Sequence, residues 1–253
     1  KNIFNVLNKY QIITFMKKNY FSFIFILTSF FSFGQGTSNP AFFVHADKLS
    51  SYNGSGTTWS DISGNGHHGV ITGASFDLSN KVFVFDGNDH VSFPSVLTTG
   101  DDTYTLEAYF KSTSASTQVV VEQNTSTVQA SQRACMLLRS NGTGGFNGAS
   151  NDRHDVANYT INSWEHWVLV CNVTANNLKI FRNGSIAYDG TFANSGALNV
   201  GTGGVNIGKR VVSNGEYFVG EMKFVRIYDR VLTNAEVLNN YNQRNQTQIC
   251  TTD

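Results

Sequence analysis

At 253 residues the chain is long enough for one large β-sandwich or two small domains. Charged side chains make up only 14% of it, Pro occurs twice and Gly 23 times; that mixture suits many short strands joined by polar turns, not helices held by surface ion pairs. The formal net charge is zero and no basic stripe stands ready to replace counterions, which argues against nucleic acid as a partner.

The first residues read as a separate functional piece. Residues 1–15 contain no Met and read as upstream sequence, with Met16 as the start. Met16-Lys17-Lys18 is a basic head, and Tyr20–Phe31 is an apolar body. Ser32 and Gly34 place small residues before a cut at Gln35, so residues 16–34 are expected to be a secretory signal peptide. The apolar body is shorter than the ~20 residues of a membrane span, and no span is expected in the mature chain. Cleavage between Gly34 and Gln35 removes four lysines and no acid, leaving 14 basic against 18 acidic residues. The mature protein is therefore expected to be mildly acidic and secreted or held at the cell surface.

Ala41–Asp47 reads as a short strand, followed by the turn-rich run Ser51-Tyr-Asn-Gly-Ser-Gly-Thr-Thr-Trp-Ser-Asp-Ile-Ser-Gly-Asn-Gly66. Its glycines permit positive φ, Asp61 suits an Asx-type turn, and Trp59 anchors the loop. Lys81–Phe93 holds a strand, an Asp86-Gly87 turn and a second strand. In Tyr104–Lys111, Tyr104, Leu106, Ala108 and Phe110 share one face and Thr105, Glu107, Tyr109 and Lys111 the other. This second face is expected to look out over a concave surface. Gln118–Glu122, Arg133–Arg139 and Asp155–Thr160 follow as strands. Trp164–Val173 and Asn177–Arg182 come next, and Asn183-Gly184 after them signals a two-residue hairpin. Val205–Arg210 precedes the last strand.

In that strand Phe218, Gly220 and Met222 alternate, and the apolar parity then slips by one to Val225 and Ile227. One extra residue near Lys223–Phe224, a β-bulge, accounts for the slip. Thr233 with Glu236 three residues on spells a capping box for a short helix carrying Val237, Leu238 and Tyr241. No linker interrupts residues 40–242, so a single domain is expected there, with residues 243–253 as a tail or the start of a linker.

Four of these segments resemble, in order, the laminin G-like, concanavalin A-like jelly-roll family. They are Ser51–Gly66, Lys81–Phe93, the Trp164–Arg182 pair with its Asn-Gly turn, and Gly220–Glu236. Lys223 stands where that family usually has an acidic residue. The resemblance implies an all-β fold of two antiparallel sheets with one short C-terminal helix, and recognition as the family's common role.

Several chemical motifs fail on inspection. Gly203–Lys209 has phosphate-loop spacing, but Arg210 replaces the required Ser or Thr and no helix follows. The six histidines show no zinc spacing. Retaining glycosidases of this architecture need two carboxylates about 5–5.5 Å apart, and their Glu-x-Asp-x-x-Glu spelling is absent. Glu107 stands alone on its strand, and Glu216 and Glu221 lie an odd distance apart. No catalytic residue is assigned.

Two weaker sites remain. Asp86, Asn88 and Asp89 cluster oxygen ligands in one turn, where related modules hold calcium; the alternative is a metal-free Asp-Gly-Asn-Asp turn, and Asp101-Asp102 stands by as extra ligands or as solvated charge. Tyr109, flanked by Glu107 and Lys111, offers an aromatic face to a pyranose ring, with Phe181 and Trp164 as neighbours. Cys135 and Cys171 either form a disulfide, worth about 3–4 kcal/mol, or stay as two buried thiols, and Cys250 lies in the tail. The expectation is a secreted, non-catalytic module of a larger exported protein that recognises a glycan or another cell-surface partner. The alternative is a structural or adhesive module for a protein partner, and a diverged glycan hydrolase comes third.

Overall fold

The computed structural model describes residues 39–98, 103–124, 132–194, 200–211 and 215–245, all within the unit Ser38–Asp253. The expected leader, Asp101, Asp102, Cys250 and the last residues of the tail lie outside the described residues. Among the described residues no helix is long and apolar enough to cross a membrane.

Sixteen strands and one helix follow in order among these residues. They are β1 (Phe42–His45), β2 (Thr58–Trp59), β3 (Gly69–Thr72), β4 (Ser75–Asp77), β5 (Val82–Asp86), β6 (His90–Phe93), β7 (Thr103–Ser112) and β8 (Gln118–Gln123). Next come β9 (Ala134–Leu138), β10 (Thr143–Asn147), β11 (Arg153–Asn158), β12 (Trp164–Asn172), β13 (Asn177–Arg182), β14 (Ser185–Gly190), β15 (Val205–Ile207), β16 (Val219–Tyr228) and α1 (Asn234–Gln243). The first sheet runs β14-β13-β12-β7-β16-β5-β4, with β1 also on β16; the second runs β11-β10-β9-β8-β15-β6-β3-β2. All the pairings are antiparallel, as in a two-layer sandwich.

The inward faces follow from alternation. Tyr104, Leu106, Ala108 and Phe110 of β7 enter the core with Trp167, Leu169 and Cys171 of β12, and Ala134, Met136 and Leu138 of β9 meet them from the other sheet. β16 carries the expected bulge. Its register on β7 shifts between Met222 and Phe224, so Met222 and Val225, three residues apart, both point inward. The irregularity falls where β16 changes partner, from β5 along Val219–Met222 to β1 along Phe224–Ile227. One strand thereby joins two others edge to edge.

Local turn chemistry holds as read. Asp61 Oδ1 accepts the N–H groups of Phe43 and Ser63 at 3.0 and 2.9 Å, and Oδ2 accepts that of His67 at 3.0 Å. Trp59 is fully buried, with its ring 4.4 Å from that of Phe83. Asn183 and Gly184 have φ of 52° and 78° and close the β13–β14 hairpin. The Asp86-Gly87 turn passes from the first sheet to the second: β5 pairs with β4 and β16, β6 with β3 and β15. Thr233 and Glu236 form the full capping box of α1.

β10, reading Thr-Gly-Gly-Phe-Asn, has little apolar alternation and was not legible as a strand. A Cβ on Gly144 would lie 2.7 Å from Leu137 O, and one on Gly145 would lie 1.9 Å from Arg153 O. Glycine is there because neighbouring backbones come close. Cys135 and Cys171 are both free and buried, on β9 and β12 of opposite sheets. Of the two expectations, the pair of buried thiols is the one found.

Candidate functional site

The face expected to be open is roofed. Thr105, Glu107 and Tyr109 project from the outer side of the first sheet, where Val168, Val170, Phe181, Tyr228, Leu232 and Val237 form a second small core beneath α1. Glu107 is fully buried and accepts hydrogen bonds from His166 Nε2 (2.8 Å), Arg226 Nη1 (2.9 Å), Tyr228 Oη (3.0 Å) and Asn240 Nδ2 (2.9 Å). Burial alone would push its carboxyl up, but the Arg226 charge and the bonds from His166 and Tyr228 bring it down to about 2. Four donors from two strands and a helix meet one carboxylate, which pins α1 to the sheet. Phe181 is 2% and Tyr109 8% exposed. Lys111 pairs with Glu221 at 2.5 Å and lies over the Trp164 ring. The expectation of a solvent-facing Glu107–Tyr109–Lys111 surface is corrected at Glu107 and Tyr109, which are buried, while Lys111 stays partly exposed: alternation identifies a strand's second face, and only the packing of distant elements, the C-terminal helix among them, decides how much of it is covered.

The Asp86–Asp89 turn gathers oxygen atoms. Asp89 Oδ2 accepts the Asp86 N–H at 2.9 Å, and Asp86 Oδ1 accepts that of Asn88 at 3.2 Å. One end of the Asn88 amide faces both carboxylates, at 3.0 and 3.1 Å. A nitrogen at that end closes the turn with two hydrogen bonds, whereas an oxygen there calls for a cation among three oxygens. Burial and the neighbouring Asp86 raise the Asp89 carboxyl. Among the described residues no group of three or more His, Cys, Asp or Glu side chains is placed to hold a metal ion.

The outer face of the second sheet carries the densest polar network. Arg133, Cys135, Leu137 and Arg139 alternate along one side of β9, while Ala134, Met136 and Leu138 enter the core. β8 slips register between Val119 and Val121. This lets Val120 and Val121 both enter the core and leaves Glu122 on the outer face, across from Cys135.

Glu122 Oε1 lies 3.1 Å from Arg133 Nε and accepts Asn124 Nδ2 at 3.1 Å. The Arg133 Nε–H does not point at the carboxylate, so this contact is an ion pair without a hydrogen bond. Arg133 Nη1 donates to Asn147 Oδ1 at 2.7 Å. Asn147 Nδ2 is 2.9 Å from His154 Nε2, and His154 Nδ1 is 3.3 Å from Arg139 Nη1. Thr143 Oγ1 and Asn141 Nδ2 donate to Asp155 Oδ1 at 2.7 and 3.0 Å. Arg210 pairs with Glu216. Glu122 and Arg133 are buried; Arg139 and Asp155 are well exposed, so the network grades from a dry floor to a wet rim. Burial raises the Glu122 carboxyl despite Arg133 and Arg210, while the neighbouring Glu216 adds to the rise.

Of these residues only Arg210, Glu216 and His154 drew notice in the sequence, each in a motif that failed, and none as part of a binding face. Two arginines at even spacing around Ala134–Leu138 were the available signal, since a charged residue at each end of an apolar strand marks the side away from the core. Glu122 was hidden by the bulge, which breaks the parity that would have put it beside Arg133.

Among the described residues, two antiparallel eight-stranded sheets with a single C-terminal helix define a jelly-roll sandwich. Residues 85–238 match the laminin G family model described as the concanavalin A-like lectin/glucanases superfamily, and the chain belongs to that family. No curated protein matches the sequence at a significant level.

Solved structures share the fold at low identity. A Trypanosoma rangeli sialidase in complex with 2,3-difluoro-KDN aligns over 82% of this chain and 33% of its own, at 13% identity and TM-score 0.62. Domain 4 of AbnA, a GH43 extracellular arabinanase from Geobacillus stearothermophilus, in complex with arabinotriose, aligns over 79% of this chain and 97% of its own, at 18% identity and TM-score 0.59. The receptor binding domain of a botulinum neurotoxin C/D mosaic serotype aligns over 81% and 51%, at 10% identity and TM-score 0.57. This chain thus spans about a third of the sialidase chains it matches.

Proposed function

We propose that the chain is a non-catalytic glycan-recognition module of an exported or surface-attached protein, with its binding face on the outer side of the second sheet. One observation carries this reading. The outer face of the first sheet is covered by α1 around Glu107, with Lys111 paired to Glu221 at its partly exposed end, whereas that of the second keeps a graded set of side-chain amides, guanidinium groups and carboxylates running out to solvent at Arg139 and Asp155. Sugar hydroxyls are read by fixed donors and acceptors of this kind. The likeness to an arabinanase domain bound to arabinotriose over nearly its whole length supports a saccharide as ligand. Glu122 and Glu216 are each held by an arginine, and their role here is to orient a ligand, not to cleave it. Export by the N-terminal leader and calcium at Asp86, Asn88 and Asp89 belong to the same reading.

A glycan array followed by titration calorimetry tests it. Arg139→Ala and His154→Ala are expected to weaken binding at least tenfold, and Lys111→Ala, on the opposite sheet, to leave it unchanged. Loss of binding in Lys111→Ala alone would move the site back to the first sheet. Release of reducing sugar from a bound polysaccharide would overturn the non-catalytic role.

A further inference from the structure

We infer that the hollow beside the β1–β2 connection is a second binding site, shaped for a neutral sugar and separate from the outer face of the second sheet. The connection leaves the first sheet at His45 and enters the second at Thr58. It encloses about 360 Å³, walled by Leu49–Asn53 on one side and by Ser55–Thr58 and Ser60 on the other. Ligand pockets run from roughly 300 to 1,000 Å³, so the space suits a small ligand at the low end of that range.

Hydrogen bonds hold both walls. Ser51 is buried; its Oγ accepts the His45 N–H at 3.0 Å and donates to Ser60 O at 2.6 Å, while its carbonyl accepts the Ser60 N–H at 2.8 Å. Tyr52 sets its ring against those of Phe76 and Phe83, at 4.9 and 4.8 Å, and donates its hydroxyl to Gly56 O at 3.0 Å. The hollow is therefore formed before a ligand arrives, which lowers the ordering cost of binding.

The groups left over are those a sugar needs. Ile71 N–H donates to Thr57 O, which makes Thr58 and Val70 a non-hydrogen-bonded pair. The Thr58 N–H and C=O thus point away from β3 to the free edge of β2, the side on which Ser60 meets Ser51. Ser60 spends both backbone groups there, and Thr58 spends neither. The hydroxyls of Ser50, Thr57 and Thr58 and the amide nitrogen of Asn53 have no partner among the described residues, and all four residues are exposed.

None of the residues lining the hollow carries a charge. A charged ligand would give up water there without gaining an opposite charge, whereas a polyol meets donors and acceptors for its hydroxyls. Leu49, 82% exposed on the rim, offers an apolar contact to the C–H groups of a sugar ring.

Amide NMR spectra of the isotope-labelled full chain decide the matter. Glucose, galactose and mannose form the neutral set; glucuronate, galacturonate and glucosamine form the charged set. A neutral sugar is expected to shift the amides of Ser50, Asn53, Thr57 and Thr58, at a concentration at least fivefold below that needed by any charged one. Ser50→Trp and Thr58→Trp, at exposed positions on opposite walls, fill the hollow, and each is expected to weaken that response at least fivefold. Two independent fillings keep the test decisive if one of them disturbs the loop.

Arg139→Ala, on the second sheet, should leave the response unchanged. Shifts confined to β9–β11 and lost in Arg139→Ala overturn this inference and leave the second-sheet site standing. Shifts confined to the hollow support this inference and count against the second-sheet site. Tighter binding of a charged sugar in the hollow, or no shift there with any sugar, overturns it.

Discussion

Replacing Glu107 by Gln tests what fastens the C-terminal helix to the sandwich. The carboxylate is fully buried and takes hydrogen bonds from His166, Arg226, Tyr228 and Asn240 at 2.8–3.0 Å. Gln keeps the shape, removes the charge that faces Arg226, and turns one acceptor into a donor aimed at donors. Breaking a buried ion pair by removing one partner costs about 3–5 kcal/mol. The lowered pKa of the same carboxyl leads to a similar figure. Burial pushes this carboxyl up, yet Arg226 and the bonds from His166 and Tyr228 outweigh it and lower the pKa from 4.5 to about 2. That preference for the ionised form corresponds to about 3 kcal/mol.

The folded pKa lies below the unfolded one. The stabilisation is therefore complete above the unfolded value of 4.5 and is lost as pH falls from there toward about 2. A domain of this size shifts its melting temperature by about 2–4 °C per kcal/mol. Glu107→Gln is thus expected to melt about 10 °C lower at pH 7, with the gap to the parent closing on acidification toward pH ~2. Scanning calorimetry over a pH series reads both effects. A variant that melts within about 2 °C of the parent at pH 7, or a gap that stays constant with pH, would refute the reasoning.

Three further outcomes are expected. Gly184→Ala places a methyl group 2.7 Å from the Tyr241 ring at a φ of +78°, and a loss of about 1–2 kcal/mol or more should appear in urea denaturation; an unchanged midpoint would show that the turn does not brace α1. Because the Cys135 and Cys171 thiols are free, buried and shifted up by burial, neither should react with a thiol reagent in the folded protein, and reductant should leave the melting temperature unchanged. Millimolar calcium is expected to raise the melting temperature if the Asn88 amide turns its oxygen toward Asp86 and Asp89, and Asp89→Asn should abolish the rise; no rise in the parent would assign the turn to hydrogen bonds alone.

Local order was legible in the sequence because its causes are local. Alternation located β7, β12 and β13, the parity slip at Lys223 announced the bulge of β16, and Thr233 with Glu236 marked the helix start. Asn183-Gly184 marked its hairpin, and Asp61 its turn. Each of these rests on a period or a φ preference within a few residues.

Tertiary structure decided the rest, and above all which outer face is covered. Glu107 meets Asn240 across 133 positions of chain, and nothing in the Tyr104–Lys111 pattern foretells that a helix so far away will bury its second face. The bulge in β8 likewise brings Glu122 to the side of Arg133, so that residues without a common spacing share one polar floor. Spacing along a strand fixes the side on which a residue emerges; only the packing of distant elements determines whether that side meets solvent, another layer or a partner charge.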